Sequence, residues 1–357
     1  MAVHLRPLED QTIVLTGASS GIGLVTARMA ARRGARLVLA ARTEDALRDL
    51  AEEIARNGGE AHAVVCDVGN QEDVRRLRDA AIDRFGGFDT WVNDAGIGMF
   101  GRILDIPVDD MKRLFDTNVW GVVHGSIAAA EYFRDRAQHR GERGFGGAII
   151  NVGSVVSYQA IPLQGPYVAS KHAVLGFTDS LRQELEHDGI DVSLTCVMPN
   201  AIDTPYPHHA PNYMGVEATL PPPVYAPETV ARVILRAATH PTRNITVGGA
   251  FKTQTALNKV VPGLIDAFMR TFVWDQQRRE DEPIGRRELR GLEAPSGRTE
   301  FGALHERGDM DRWTMPFSAY TEARMHPLAA TAVLAGIGLL VGAAVREFGS
   351  EAEHAPR

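Results

Sequence analysis

The chain has 357 residues, 44% of them apolar and 23% charged, with a formal net charge of −7. This is the composition of an ordinary folded protein and excludes a chain disordered throughout, and the acidic balance argues against a nucleic-acid partner, whose phosphates need a basic surface. Cys66 and Cys196 stand far apart without metal-ligand spacing, so neither a disulfide framework nor a metal site is expected.

The N-terminus, "MAVHLRPLEDQTIVLTG", carries Arg6, Glu9 and Asp10 where a secretory signal needs an apolar segment, so a cytoplasmic catalytic domain is expected. Short apolar runs then recur at 12–16, 36–41, 61–68, 90–96, 147–154, 192–198 and 244–249. Continuous rather than alternating apolarity marks strands buried on both faces. The segments between them have helical length, and several end at glycine, as at Gly34 and Gly58. The repeated βα pattern predicts an α/β fold, a Rossmann-type doubly wound parallel sheet with helices on both sides, over residues 1–250.

The first strand leads into "TGASSGIG", 16–23, which opens a helix. Gly17 permits a tight turn, Gly21 lets the backbone approach a pyrophosphate, and Gly23 lets the helix pack closely on the sheet. The second strand ends "LAAR", with Ala41 where a carboxylate would bond the ribose of NAD and Arg42 beside it, which favours NADP(H) over NAD(H). A cap or a pairing with Glu44 is the other use for Arg42. In "YVASK", Tyr167 precedes Lys171 by one helical turn, so both share a face. At about 5 Å and an effective dielectric of about 20, the lysine would stabilise a phenolate by about 3 kcal/mol, moving the phenol from about 10 toward about 8.

Residues 205–225 are proline-rich and resist regular structure, and Tyr206, Tyr213, Met214 and Leu220 would offer apolar surface to a lipophilic ligand. His208 and His209 within this stretch read as solvated loop residues. Beyond residue 250 the pattern changes. Residues 251–275 form an amphipathic helical segment in which Leu264, Ile265, Phe268, Met269, Phe272 and Val273 line one face. Residues 276–325 read as charged and linker-like, with 17 charged side chains between 276 and 312. Residues 326–348 hold an apolar helix whose uncharged stretch 328–345 would span about 27 Å, marginally enough to cross a bilayer. Membrane association through 328–345 is one expectation for it, and a buried or dimer-interface helix the other.

The set "TGASSGIG", "NDAG" at 93–96, Asn118 in "TNVWG", Ser154 in "NVGS" and "YVASK" resembles the short-chain dehydrogenase/reductase family over roughly residues 8–249. The resemblance implies an NADP-dependent oxidoreductase that moves a hydride between cofactor and a small-molecule carbonyl or alcohol, in a homodimer or homotetramer. Its implied catalytic residues are Tyr167 as acid and base, Lys171 on the phenolate and the nicotinamide ribose, Ser154 on the substrate carbonyl, and Asn118 anchoring a relay water. Its implied cofactor residues add Ser19, Ser20 and Ile22 to the glycines. They also include Asp67 and Val68 at the adenine, Asn93, Ala95 and Gly96 after the fourth strand, and Pro199 and Thr204 after the sixth. Helix capping is the competing role for Asp67. Residues 205–225 stand at the position where the family carries a lid over the substrate. Two departures stand out: Asp94 replaces the second Asn of the family's "NNAG", and Asn200, a residue tolerant of left-handed backbone, replaces the glycine after Pro199. A catalytically silent NADP(H)-binding regulator or membrane scaffold is the alternative reading, against which Tyr167 and Lys171 count.

Overall fold

A computed structural model describes residues 3–139, 144–249, 254–255, 257–258, 260–284, 291–292, 294, 302–308 and 314–331. Six of the apolar runs form β1 (Thr12–Thr16), β2 (Arg36–Ala41), β3 (Ala61–Val65), β4 (Thr90–Asn93), β5 (Gly147–Val152) and β6 (Val192–Pro199), and the seventh forms a last strand, Asn244–Val247. They make one parallel sheet in the order last strand, β6, β5, β4, β1, β2, β3. Strands β1, β5 and β6 are buried at every position because helices cover both faces.

On one face α1 (Gly21–Ala31) and the helix Pro227–Ala237 set Leu24, Ala27, Val230 and Ile234 against Leu15, Leu37 and Leu39. The other face carries α3 (Gln71–Phe85) and α5 (Gly121–His139), whose Leu77, Ala81, Ala129 and Phe133 meet Val14, Trp91 and Ile149. Each fully buried aliphatic or aromatic side chain of this kind contributes about 1.5–3 kcal/mol. Two further helices bear on the site: α2 (Glu44–Arg56) follows β2, and α6 (Gly165–His187) follows β5. The strand order reverses between β1 and β4, so a crevice opens at their carboxyl ends, where open α/β sheets take ligands.

Several strands end two or three residues earlier than their apolar runs. Asp67–Val68, Asp94–Gly96 and Ser154 turn along the crevice, while the Cys66 and Gly153 amides keep a last bond to the Ala41 and Val197 carbonyls of the neighbouring strands. Small and apolar residues serve both places, so composition does not mark the boundary. The short helix α4 (Val108–Phe115) passes through a π turn, Asp116–Trp120, into α5, with the Gly121 amide donating to the Asp116 carbonyl. Such turns interrupt the i→i+4 ladder at functional positions, and Asn118 lies within this one.

The described parts of the charged stretch are packed. Arg278–Pro283 pairs antiparallel with Val216–Ala218, inside the expected lid. Residues 302–308 run along the glycine loop, and helix Ala319–Met325 closes the last strand, its Thr321 hydroxyl accepting from the Gly248 amide at 3.0 Å. The amphipathic segment forms helix Pro262–Phe268 continued by a π turn, Met269–Val273. Ile265, Met269 and Val273 pack on Val155, Val156, Ile161 and Val168, whereas Leu264, Phe268 and Phe272 face outward. The apolar face that packs is therefore half the predicted one. Among the described residues no helix is long and apolar enough to cross a membrane, and residues 332–345 of the expected membrane stretch lie outside them.

Candidate active site

The glycine loop is shaped by two close approaches. Gly17 has φ +74°, and a Cβ there would meet the Ala95 amide nitrogen at 2.8 Å. A Cβ on Gly23 would meet the Gly17 carbonyl oxygen at 2.2 Å, so α1 seats directly on the loop. The first amides of a helix have no partner within it. The Ser20 side chain does not cap α1. Instead the Gly21 amide donates to the His305 carbonyl at 2.8 Å, and the Gly23 amide donates to the Asp94 carboxylate. Gly17, Ser19, Ser20, Gly21 and Ile22 line a cavity of about 270 Å³.

At one end of this cavity lie Ala41 and Arg42, from the end of β2, with Asp67 and Val68 beyond β3. The Arg42 guanidinium donates to the Gly291 carbonyl at 2.6 Å, a partner other than the Glu44 of the alternative reading. Asp67 accepts from the Gly69 amide at 3.0 Å, and the cap of α3 is Asn70, which accepts from Glu72. Capping is thus not the role of Asp67.

The chemical end is assembled by α6 and the turn after β5. Tyr167 and Lys171 face one cavity with Ser154, Ala95, Gly96, Pro199 and Thr204. The Lys171 ammonium lies 5.6 Å from the Tyr167 ring centroid and donates to the Val152 carbonyl at 2.8 Å. The Ser154 hydroxyl donates to the Pro199 carbonyl at 3.4 Å and is a hydrogen-bond partner of Tyr167. Tyr206 is a second such partner, its ring edge-on to that of Tyr167 at 5.5 Å between centroids.

Burial reverses the expected titration of the phenol. It pushes Tyr167 above its ordinary value, while the Ser154 and Tyr206 hydroxyls pull the other way and the Asp94 charge adds to the rise. Lys171 is itself pushed down to about 8 by burial, against the opposing pull of the Asp94 charge. Asp94 is pushed up to about 7 by burial, with the Lys171 charge and the Gly23 amide opposing. The three groups form one coupled set in which enclosure outweighs charge attraction.

Three expected site residues lie behind the cavity wall. Gly23 supports the loop. Asn93 is buried, accepting from the Trp91 indole at 2.8 Å and donating to Ser126 and Asn151 at 3.2 and 2.8 Å. Its role is to join β4, β5 and α5. Asn118 accepts from the Ile97 amide and donates to the Ile97 carbonyl, both at 2.9 Å, and to Ser170 at 3.1 Å. Its side chain clamps the loop after β4 to α6. Asn200 does not take a left-handed backbone; among the described residues that are not glycine, only Leu163 and Leu304 do.

In the sequence, Tyr206 stands out only as apolar lid surface and Asp94 only as a departure from the family motif. Gly291, Ala303 and His305 were not anticipated at all. Of the expected lid contacts, Tyr206 and Leu220 line the cavity, and Tyr213 instead donates to Asp110 at 2.6 Å. No group of three or more potential metal ligands occurs among the described residues.

A glycine loop at the sheet's switch point, facing a tyrosine and lysine one helical turn apart, defines a nucleotide-dependent oxidoreductase site. Residues 11–212 match the family model described as short chain dehydrogenase. The uncharacterized oxidoreductase YxnA of Bacillus subtilis (strain 168) is 43% identical over 336 residues, 94% of this chain and 91% of that protein. A short chain dehydrogenase/reductase from Burkholderia phymatum, solved in complex with NAD, is similar with a TM-score of 0.64 and 26% identity, covering 73% of this chain and 96% of that one. An alcohol dehydrogenase from the archaeon Thermococcus sibiricus, complexed with 5-hydroxy-NADP, gives 0.57 and 26%, covering 68% and 97%. The chain belongs to the short-chain dehydrogenase/reductase family.

Proposed function

We propose that the chain moves a hydride between NADP(H) and the carbonyl or secondary alcohol of a lipophilic small molecule, with Tyr167 as general acid and base. The observation that supports this most is that Tyr167, Lys171 and Ser154 open into the same cavity as the glycine loop, Arg42 and Asp67. A nicotinamide dinucleotide fits this cradle, because the loop has no side chain at Gly17 or Gly21 and turns the N-terminus of α1 toward the cavity. Ser19, Ser20 and Ile22 would hold its pyrophosphate, Asp67 and Val68 its adenine, Lys171 its nicotinamide ribose, and Thr204 its amide. Arg42 has five donors, of which the Gly291 carbonyl engages one nitrogen, and its planar fork suits a ribose 2′-phosphate. When bound, the cofactor supplies or accepts the hydride.

The chain's own residues manage the proton. Ser154 and Tyr167 hold the substrate oxygen in line, and Tyr167 protonates it during reduction or deprotonates it in reverse. The resulting phenolate is favoured by the Ser154 and Tyr206 hydroxyls, the Lys171 cation would add to this from 5.6 Å off the ring centroid, and Asp94 favours the charged form of that lysine. Val155, Val156, Ile161, Tyr206 and Leu220 give the substrate side an apolar wall, which favours a lipophilic ligand. A homodimer or homotetramer and membrane association through residues 328–345 belong to the same reading.

Replacing Tyr167 with Phe keeps the ring and removes the proton. Turnover of a carbonyl substrate should fall by about 10²–10⁴-fold, while NADPH binding, followed by fluorescence titration, stays within about twofold. Undiminished turnover in this variant would remove the proposed mechanism.

A further inference from the structure

The C-terminal extension reaches the cavity at several points. Ala303 is buried and lines it, as does Gly291. The Leu304 amide donates to the Ser19 carbonyl at 2.7 Å and the His305 carbonyl accepts from the Gly21 amide at 2.8 Å, so this segment pairs with the glycine loop itself. Gly308 comes close enough to the Thr204 carbonyl that a Cβ would lie 2.7 Å from it. Leu304 takes a left-handed backbone, φ +68°, a conformation a branched side chain keeps only when surrounding contacts impose it.

Ion pairs hold the segment from outside. Glu306 pairs with Arg28 of α1 at 2.7 Å, and the same guanidinium holds Glu53 of α2 at 2.6 Å. Arg307 pairs with Glu228 at 2.8 Å and with Asp203, next to Thr204, at 3.4 Å. The match to YxnA spans 94% of this chain, which cannot leave out residues 291–308.

From these contacts we propose that residues 303–308 and Gly291 form the outer wall of the cofactor site, beyond the family's core fold, and that a nicotinamide dinucleotide is released only when their contacts with the glycine loop and Arg42 part. This rests on the cofactor reading above. The His305 carbonyl occupies the Gly21 amide, which leaves anion binding at α1 to the neighbouring Ser20 and Ile22 positions. The segment thus sets where the pyrophosphate sits as well as how fast it leaves.

The test uses the full chain with Glu306→Ala and Arg307→Ala combined, neither residue touching the chemistry. Stopped-flow release of NADPH should quicken by about tenfold and Kd rise in step. Release and Kd both within about twofold of wild type, with only the thermal midpoint lowered, would make the segment a structural brace and overturn the proposal. On the wild-type chain, hydrogen exchange at Leu304 and Gly21 should slow when NADPH is added, and unchanged exchange would also overturn it. A wild-type chain that binds neither NADPH nor NADH fails the cofactor reading itself, whereas normal binding with unaltered release in the variant fails the wall alone.

Discussion

Tyr167 sits among groups that pull its proton in different directions. Enclosure holds the proton on, two hydroxyls favour its loss, and the nearest cation is itself a weakened one. Asp94 is the residue that ties these effects together. Lys171 titrates at about 8, so its charged fraction, and with it reductive kcat/KM, should fall as pH rises through that value. An Asp94 anion raises the pKa of Lys171, so Asp94→Asn should move the alkaline limb to lower pH. Asn retains an oxygen for the Gly23 amide, which separates charge from shape. A limb that stays in place, measured as kcat/KM against pH, would show that Asp94 does not act through Lys171.

At the scale of elements, the loop and α1 work as one part. A methyl on Gly23 cannot be accommodated beside a backbone oxygen at 2.2 Å without moving the loop. Gly23→Ala should therefore weaken NADPH binding by about tenfold or more, a loss of about 1.4 kcal/mol, while the far-UV spectrum is retained. Wild-type affinity in this variant would mean that the loop tolerates displacement. This part was readable in advance because its causes are local: a strand, a glycine spacing and a helix stand in sequence. The seven strands were readable for a related reason, since burial on both faces imposes continuous apolar runs. Their ends were not, because the turns that line the crevice use the same residue types. Long-range contacts escaped altogether. Glu306 and Arg307 look like solvated charges in a stretch without periodicity, and only the fold shows them anchored to Arg28 and Glu228. Helical spacing likewise reports the proximity of Lys171 to Tyr167 and says nothing of the enclosure that raises the phenol.

Over the whole molecule, the sheet's switch point gathers the glycine loop from β1–α1, Asp94–Gly96 from β4, Ser154 from β5 and Tyr167 with Lys171 from α6 into one cavity, which Gly291 and Ala303 also line. In the proposed function, this cavity passes a hydride directly between nicotinamide and a carbonyl carbon. Incubating the full chain with NADPH deuterated at the reactive nicotinamide carbon and a panel of ketones of graded lipophilicity, then analysing products by mass spectrometry, tests it most directly. The expected product is an alcohol carrying one deuterium on its carbinol carbon, with yield rising along the lipophilic series. NADPH that binds while every ketone is returned unreduced, or alcohol formed without the label, would contradict it.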